Sequence, residues 1–343
     1  MAHCGLVIGL HIMTVILRLL LVLGVILLAA ARLSIAQPTA EQFATAVVGI
    51  ESSINPAGRT VPILGDSRSG TGVVIDSSGL IVTVGYLLLE TSEVTVRFYN
   101  GEQLPASVVA IDSESGLALL KVSETHSRDL PSITPIGLGQ SALLTKDERV
   151  IALPAGGLEV AASVRIHSLR EFSAPWEYLL EEAIYTIPVL RNFSGSALIN
   201  RDAELVGIGT LALQNVSVSE DTEVAGNLFI PVDLLTARLG TMLSKTAAGG
   251  DTQDRPWLGL MIDGSLSVTR VLENGPAMEA GVQVGDTIVG VNDHHVVSRA
   301  NLYRTLWSTD VANELALLVS REGRLMPLDV TPVERGSWLI STP

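Results

Sequence analysis

The strongest constraint in this sequence is a succession of short β-branched runs, each closed by glycine, asparagine or aspartate. GTGVVIDSSGLIVTV (70–84), SEVTVRFYNGEQLPASVVAID (92–112), GLALLKV (116–122) and ERVIALPAGGLEVAASVRIHSL (148–169) all have this form. Branched side chains are stiff at χ1 and pack well on a pleated surface, so such runs favour strands. Turn signals arriving about every 8 to 12 residues predict a β-barrel or a sandwich. Asn100-Gly101, set between two alternating runs, predicts a hairpin because both residue types tolerate positive φ. ELVGIGTLAL (204–213) closes the set as a strand, and FIPVDLLTARLGTMLS (229–244) reads as a strand end running into a helix. TAEQFATAVV (39–48) has helical spacing and reads as a lead-in helix.

The pattern breaks at KTAAGGDTQDRP (245–256), which is small, polar and glycine-bearing, the composition of a linker. A second set follows: WLGLMI, SLSVTRVLENGPAMEAGVQVGDTIVGVNDHHV, a helix around SRANLYRTLWS, and ELALLVSREGRLMPLDVTP, with its turn at Glu322-Gly323. Strands with one clear helix predict a compact α+β module of roughly 80 residues. The expected organisation is therefore 1–36, 37–244, a linker at 245–256, a module at 257–335 and a tail at 336–343.

The first of these segments differs in kind. From Gly5 to Ala31 the chain is apolar except for His11 and Arg18. About 20 apolar residues cross a bilayer as a helix, so one reading is a retained transmembrane signal anchor. The other is a cleaved signal peptide, with Arg18 as n-region, Leu19 to Ala31 as apolar core and Ser34-Ile35-Ala36 as the cleavage site. Either places the remainder outside the cytoplasm, membrane-anchored in the first case and periplasmic or secreted in the second. A formal charge of −14 argues against nucleic acid, because phosphate binding needs basic patches. The single cysteine, Cys4, excludes an intramolecular disulfide and a cysteine-rich metal site. The six histidines show no ligand spacing, so neither a metal nor a cofactor is expected.

The most informative short stretch is NFSGSALIN (192–200), a serine on a tight glycine-bearing turn. Together with SGTGVVIDSSGLIVT, GLALLKV, VIALPAGG, ELVGIGT and NLFIPVDLL, in that order, it resembles the HtrA (DegP-like) branch of the trypsin-like serine proteases. The second module is similar to the PDZ domain that follows the protease domain in that family, through PWLGLMI and VLENGPAMEAGVQVGDTIVGVND. The resemblance implies a mostly-β chain: a chymotrypsin-like double β-barrel over 37–244, then an α+β PDZ domain. Active relatives commonly form trimers through the start of the protease domain. Phe43 is the only aromatic there, so a homo-oligomer stays open.

The resemblance places Ser194 at the nucleophile, but Tyr86 at the histidine and Gly116 at the aspartate. A serine hydroxyl needs a positioned base, and a tyrosine with a pKa near 10 is a hydroxyl at neutral pH. Glycine has no side chain with which to orient one. Asn192-Phe193 precede the serine where relatives have Gly-Asn, so the oxyanion turn is altered too. His126 and His167 lie where the family fold is not expected to reach Ser194. A Ser-Lys dyad with Lys121 or Lys146 is formally possible, but Lys121, in the LALLKV strand, reads as a snorkelling surface lysine. These residues predict a pseudoprotease: no catalytic residue, a vestigial Ser194, and a membrane-associated binding scaffold or subunit of a larger membrane complex. The alternative is an active HtrA-type serine endopeptidase in envelope protein quality control that uses a non-standard base.

Peptide binding does not depend on the triad. The resemblance makes Leu258-Gly259-Leu260-Met261 a loop whose amides capture the carboxylate of a peptide C-terminus, which then adds as a strand. Leu302 and Leu306 lie i, i+4 on the helix; Leu302 reads as core and Leu306 as groove wall. Arg255 reads either as a carboxylate partner or as a solvated linker residue.

Overall fold

A computed structural model describes residues 40–122, 131, 133–217, 222–244, 255–311 and 313–340. The chain divides into two units, Met1–Pro38 and Thr39–Pro343. The expected anchor or signal peptide over 1–36 lies outside the described residues. Among those described, no helix is long and apolar enough to cross a membrane.

The second unit opens with a helix, α1 (Ala40–Ala46), which runs directly into β1 (Val47–Ile54). With β2 (Ser67–Val74), β3 (Leu80–Val84), β4 (Thr91–Arg97), β5 (Gln103–Asp112) and β6 (Leu117–Val122) it forms a closed barrel, order β1-β2-β3-β6-β5-β4. β3 is buried along its whole length, as its continuous apolar run requires, whereas β4 alternates. Asn100-Gly101 makes the β4–β5 turn, with Gly101 at φ 84. A second closed barrel, order β10-β11-β12-β9-β8-β7, is built from β7 (Arg149–Leu153), β8 (Ala162–Ala174), β9 (Tyr178–Ile187), β10 (Ala197–Ile199), β11 (Leu205–Leu213) and β12 (Gly226–Pro231). Closure removes the exposed strand edges that an open sheet of this length would leave. The helix α2 (Val232–Ser244) follows. Inside the second barrel Val150, Ile166, Ile184, Leu198, Val206 and Phe229 form a core of their own.

The α+β module comprises β13 (Pro256–Trp257), β14 (Leu260–Ile262), β15 (Val268–Val271), α3 (Pro276–Glu279), β16 (Thr287–Val291), β17 (His294–His295), α4 (Arg299–Trp307), β18 (Leu315–Arg321), β19 (Arg324–Val330), β20 (Val333–Glu334) and α5 (Arg335–Trp338). Glu322 and Gly323, both at positive φ, turn β18 into β19. Ser298 caps α4 by accepting the Asn301 N–H. Most of the expected linker lies outside the described residues, but its last residue, Pro256, already pairs in β13 with Glu334 of β20.

The expected tail is in part structured. Trp338 is buried against Trp257 at 4.8 Å between ring centroids, and Arg59 of the first barrel stacks over it. Two residues on, the Ile340 N–H reaches the Glu90 carboxylate, which also takes the N–H groups of Arg59 and Thr60. The reason is packing: an indole and a buried carboxylate both had partners waiting on the first barrel.

Candidate functional site

Ser194 sits on the loop between β9 and β10. That loop is pinned at both ends: the Asn227 side chain bonds both the N–H and the carbonyl of Leu190, and the Ser196 N–H and hydroxyl both donate to the Phe193 carbonyl. Thr71 N–H donates to the Ser194 carbonyl, tying the loop to the first barrel. Gly195 is the residue that makes the turn, at φ +74, and a Cβ there would lie 1.9 Å from the Thr71 carbonyl oxygen. A cleft of about 420 Å³ opens over the loop, lined by Gly70, Arg97, Ala155, Arg191, Phe193 and Ser194 among others.

At the expected histidine position, Tyr86 follows β3 in a 3-10 turn (Gly85–Leu87). Its Oη lies 2.7 Å from Ser194 Oγ and donates to the Thr210 carbonyl at 3.0 Å. With the phenol proton committed to Thr210, the Ser194 hydroxyl is the donor of the shared bond. Burial pushes Tyr86 up to about 12, against the opposing effect of the Ser194 hydrogen bond. Ser194 is therefore held by a neutral hydroxyl at neutral pH.

Gly116 has φ +77, and a Cβ there would meet Tyr178 Oη at 2.7 Å. The aspartate position is thus filled from the second barrel by Tyr178, which donates to the Ser115 carbonyl at 2.6 Å. The carboxylates nearby are committed elsewhere. Asp112 is fully buried, accepts the Ser115 hydroxyl at 2.5 Å, and makes a two-pronged ion pair with Arg238 at 2.6 and 2.7 Å. Glu114 pairs with Arg238 and Arg255. Arg255 accordingly meets a carboxylate on the barrel, and it also stacks over Trp307.

The substitute bases do not approach Ser194 among the described residues. His167 lies on β8 amid Lys146, Asp147, Arg165 and Arg170, its Nε2 buried without a hydrogen-bond partner. Burial and these cations hold it below the usual imidazole range. Lys121 sits in β6 opposite Leu80 and Ser107. His126 is outside the described residues. No cluster of three or more His, Cys, Asp or Glu among them could hold a metal.

The second candidate centre is the loop before β14. The N–H groups of Leu258, Gly259 and Leu260 converge on one carboxylate, that of Glu177, at 2.9, 2.8 and 3.0 Å. Gly259 supplies the turn at φ +81. Glu177 lies in the turn joining β8 to β9, and two residues earlier the Pro175 carbonyl accepts the Ile262 N–H at 3.0 Å. On the other side Tyr303 of α4 donates to the Ala174 carbonyl and accepts the Glu177 N–H. Leu179 joins the cluster that contains Leu258, Leu260, Leu302 and Leu306. Leu302 and Leu306 are 2% and 1% exposed, so both are core residues of the module, and Leu306 shares that core with the hairpin. Met261 is half-buried, and its carbonyl accepts the Thr269 hydroxyl. Arg304 bonds Glu171 and Glu181, one carboxylate on each strand of the hairpin. Burial pushes Glu177 up to about 7, outweighing its three amide donors and the charge of Arg335.

Neither Glu177 nor Tyr178 was among the residues that sequence reasoning selected. The one local signal was PWEY, a bulky and acidic tip between two strand runs.

Residues 70–208 match the family of trypsin-like peptidase domains, and residues 239–331 match the PDZ domain family. Similar relatives include the probable periplasmic serine endoprotease DegP-like of Pseudomonas putida (strain W619), 27% identical over 279 residues, covering 76% of this chain and 55% of that protein. The serine endoprotease DegS of Haemophilus influenzae is 26% identical over 284 residues, covering 76% of each. The chain thus spans about half the length of the DegP-like relatives it matches. Among solved structures, the HtrA-type protease AlgW with a decapeptide superposes with a TM-score of 0.50 at 19% identity, over 88% of this chain and 98% of that one. At that identity the likeness shows the fold. These comparisons correct one expectation. The reading of the chain as a non-enzyme does not stand against relatives named as serine endoproteases over 76% of its length. That expectation rested on Tyr86 and Gly116 standing at the histidine and aspartate positions, and the structure places the Tyr86 hydroxyl directly against Ser194 Oγ.

Proposed function

We propose that this chain, an HtrA/DegP-like trypsin-like peptidase domain followed by a PDZ domain, is a serine endopeptidase of the periplasmic space with a non-standard partner for its nucleophile. In the molecules whose Tyr86 is ionised, Ser194 attacks the peptide carbonyl as its proton passes to the Tyr86 phenolate, and the phenol so formed gives that proton to the departing amine. Water then hydrolyses the acyl-serine by the same route in reverse. The observation that carries this reading is the 2.7 Å contact between Tyr86 Oη and Ser194 Oγ at the base position. The names of the relatives support the reaction class and the compartment.

The reading fixes a rate law. A phenol that titrates at about 12 is ionised in only about one molecule in 10⁵ at pH 7. Turnover is therefore slow at neutral pH and rises about tenfold per pH unit, unlike an imidazole-based site, which levels off near its own pKa. A fluorophosphonate probe tests this directly. Covalent labelling that climbs with pH and disappears in Ser194→Ala is the expected outcome. Absence of labelling at pH 9 to 10, with the fold intact by circular dichroism, sinks it.

The PDZ groove supplies substrate or partner capture, with the amides of Leu258, Gly259 and Leu260 taking a carboxylate and the edge of β14 taking an extended strand. The observations behind it are the three N–H groups that converge on one carboxylate and the Ile262 N–H beside them, which bonds a main-chain carbonyl. This role needs no turnover at Ser194. The apolar segment at 5–31 favours attachment to, or export across, the membrane.

A further inference from the structure

We infer that the β8–β9 turn, Pro175-Trp176-Glu177, is an internal ligand of the PDZ groove, so that an external carboxylate-bearing peptide binds only by displacing it. The inference rests on the peptide-capture reading above and adds what competes at that site.

Three independent contacts describe the turn as a ligand rather than a neighbour. The Glu177 carboxylate takes the N–H groups of Leu258, Gly259 and Leu260, the same amides proposed to hold a peptide's terminal carboxylate. The Pro175 carbonyl takes the Ile262 N–H, two residues along β14 from Leu260, so the turn meets that strand through one main-chain bond as well as through its carboxylate. From the opposite wall, the Tyr303 hydroxyl bridges the Ala174 carbonyl and the Glu177 N–H. The groove between β14 and α4 is thereby occupied on its loop, its strand and its helix. A side-chain carboxylate stands where a main-chain one would, which allows the occupant to be an internal hairpin instead of a chain end. Arg304, bonded to Glu171 and Glu181, holds both strands of that hairpin to α4.

An occupied groove lowers the apparent affinity for any outside peptide by the fraction of molecules in which it is free. If the hairpin is engaged in nine molecules of ten or more, removing its carboxylate strengthens external binding by at least about tenfold.

The test uses the full chain and fluorescein-labelled octapeptides, a Gly-Ser spacer ending in Leu, Val or Phe, each with a free carboxylate or a C-terminal amide. Anisotropy is measured for wild type, Glu177→Ala and the shape-conserving Glu177→Gln, and amide hydrogen exchange at 258–260 is followed without peptide. The inference expects free-acid peptides to bind Glu177→Ala at least about tenfold tighter than wild type, with Glu177→Gln between them and amides ignored. It also expects exchange at 258–260 to speed up at least about tenfold in Glu177→Ala. Equal peptide affinity with equal exchange overturns the internal ligand while leaving peptide capture standing. Faster exchange with no peptide bound by any variant does the reverse: the internal ligand stands and peptide capture fails.

Discussion

The Ser194 centre and the 258–260 loop present the same situation with opposite chemistry. In each, a side chain from elsewhere holds the reactive group: Tyr86 at the serine, Glu177 at the three amides. At Ser194 the contact is between neutral hydroxyls, set by strands of two closed barrels whose separation is fixed by their cores. At the loop it is between a carboxylate and backbone dipoles, made by a hairpin tip across a domain boundary. The first arrangement changes only if the barrels deform; the second exchanges whenever a better carboxylate arrives. The two are also neighbours in sequence, since Tyr178, which fills the space beside Gly116, follows Glu177 directly.

The comparison breaks most visibly at Gly116. Restoring the aspartate by Gly116→Asp forces a Cβ against Tyr178 and a side chain into a left-handed backbone. The expected loss is about 3 kcal/mol, read as a lower midpoint in urea unfolding, with no gain in probe labelling. A variant of full stability that labels faster would show the site to be as plastic as the loop.

Next in size is the pH dependence at Glu177. Its pKa in the folded chain, about 7, lies above the unfolded value of 4.5. The folded state therefore binds the extra proton, and its stability is greatest below pH 4.5 and falls as pH rises through 7. Across that window wild type should lose about 1–3 kcal/mol relative to Glu177→Gln, whose curve lacks this component. The groups facing Glu177 are Tyr303 and Arg335, neither of which titrates between pH 4.5 and 7. Parallel curves for the two proteins would remove the contrast between a fixed neutral contact and an exchangeable charged one.

The smallest effect is at Tyr86. Tyr86→Phe removes the bonds to Ser194 and to the Thr210 carbonyl, at a cost of about 1 kcal/mol in thermal stability. Its sharper readout is kinetic, because probe labelling should lose its climb with pH. Labelling that climbs as before would assign the base elsewhere.

Legibility in the sequence followed the range of the interactions. Strands and turns, such as β3, β6 and the Asn100-Gly101 hairpin, are written locally in residue type and period and were readable. So were the loops around Ser194 and Gly259, because each needs a glycine at one particular positive φ. What fills those sites was not readable. Glu177 meets Leu258, Gly259 and Leu260 from 81 to 83 residues away, and Tyr178 meets Ser115 across 63. No local pattern encodes such a pairing, since it depends on two barrels and a third module having already packed. Leu306, expected as a groove wall, is buried in the cluster that also contains Leu179, a long-range neighbour that no local pattern announces.

The bond from Ile340 to Glu90 has a consequence for the order in which this chain is made. A ribosome releases residues 47–122 long before residue 340, and the two partners are 250 positions apart. At about 5–20 residues per second the first barrel waits on the order of 10 to 50 s for that donor. Through that interval the Glu90 carboxylate has only Arg59 and Thr60, and the rings of Trp257 and Trp338 have yet to meet. The first barrel, synthesised before the second barrel and the module, is thus among the last parts to be finished.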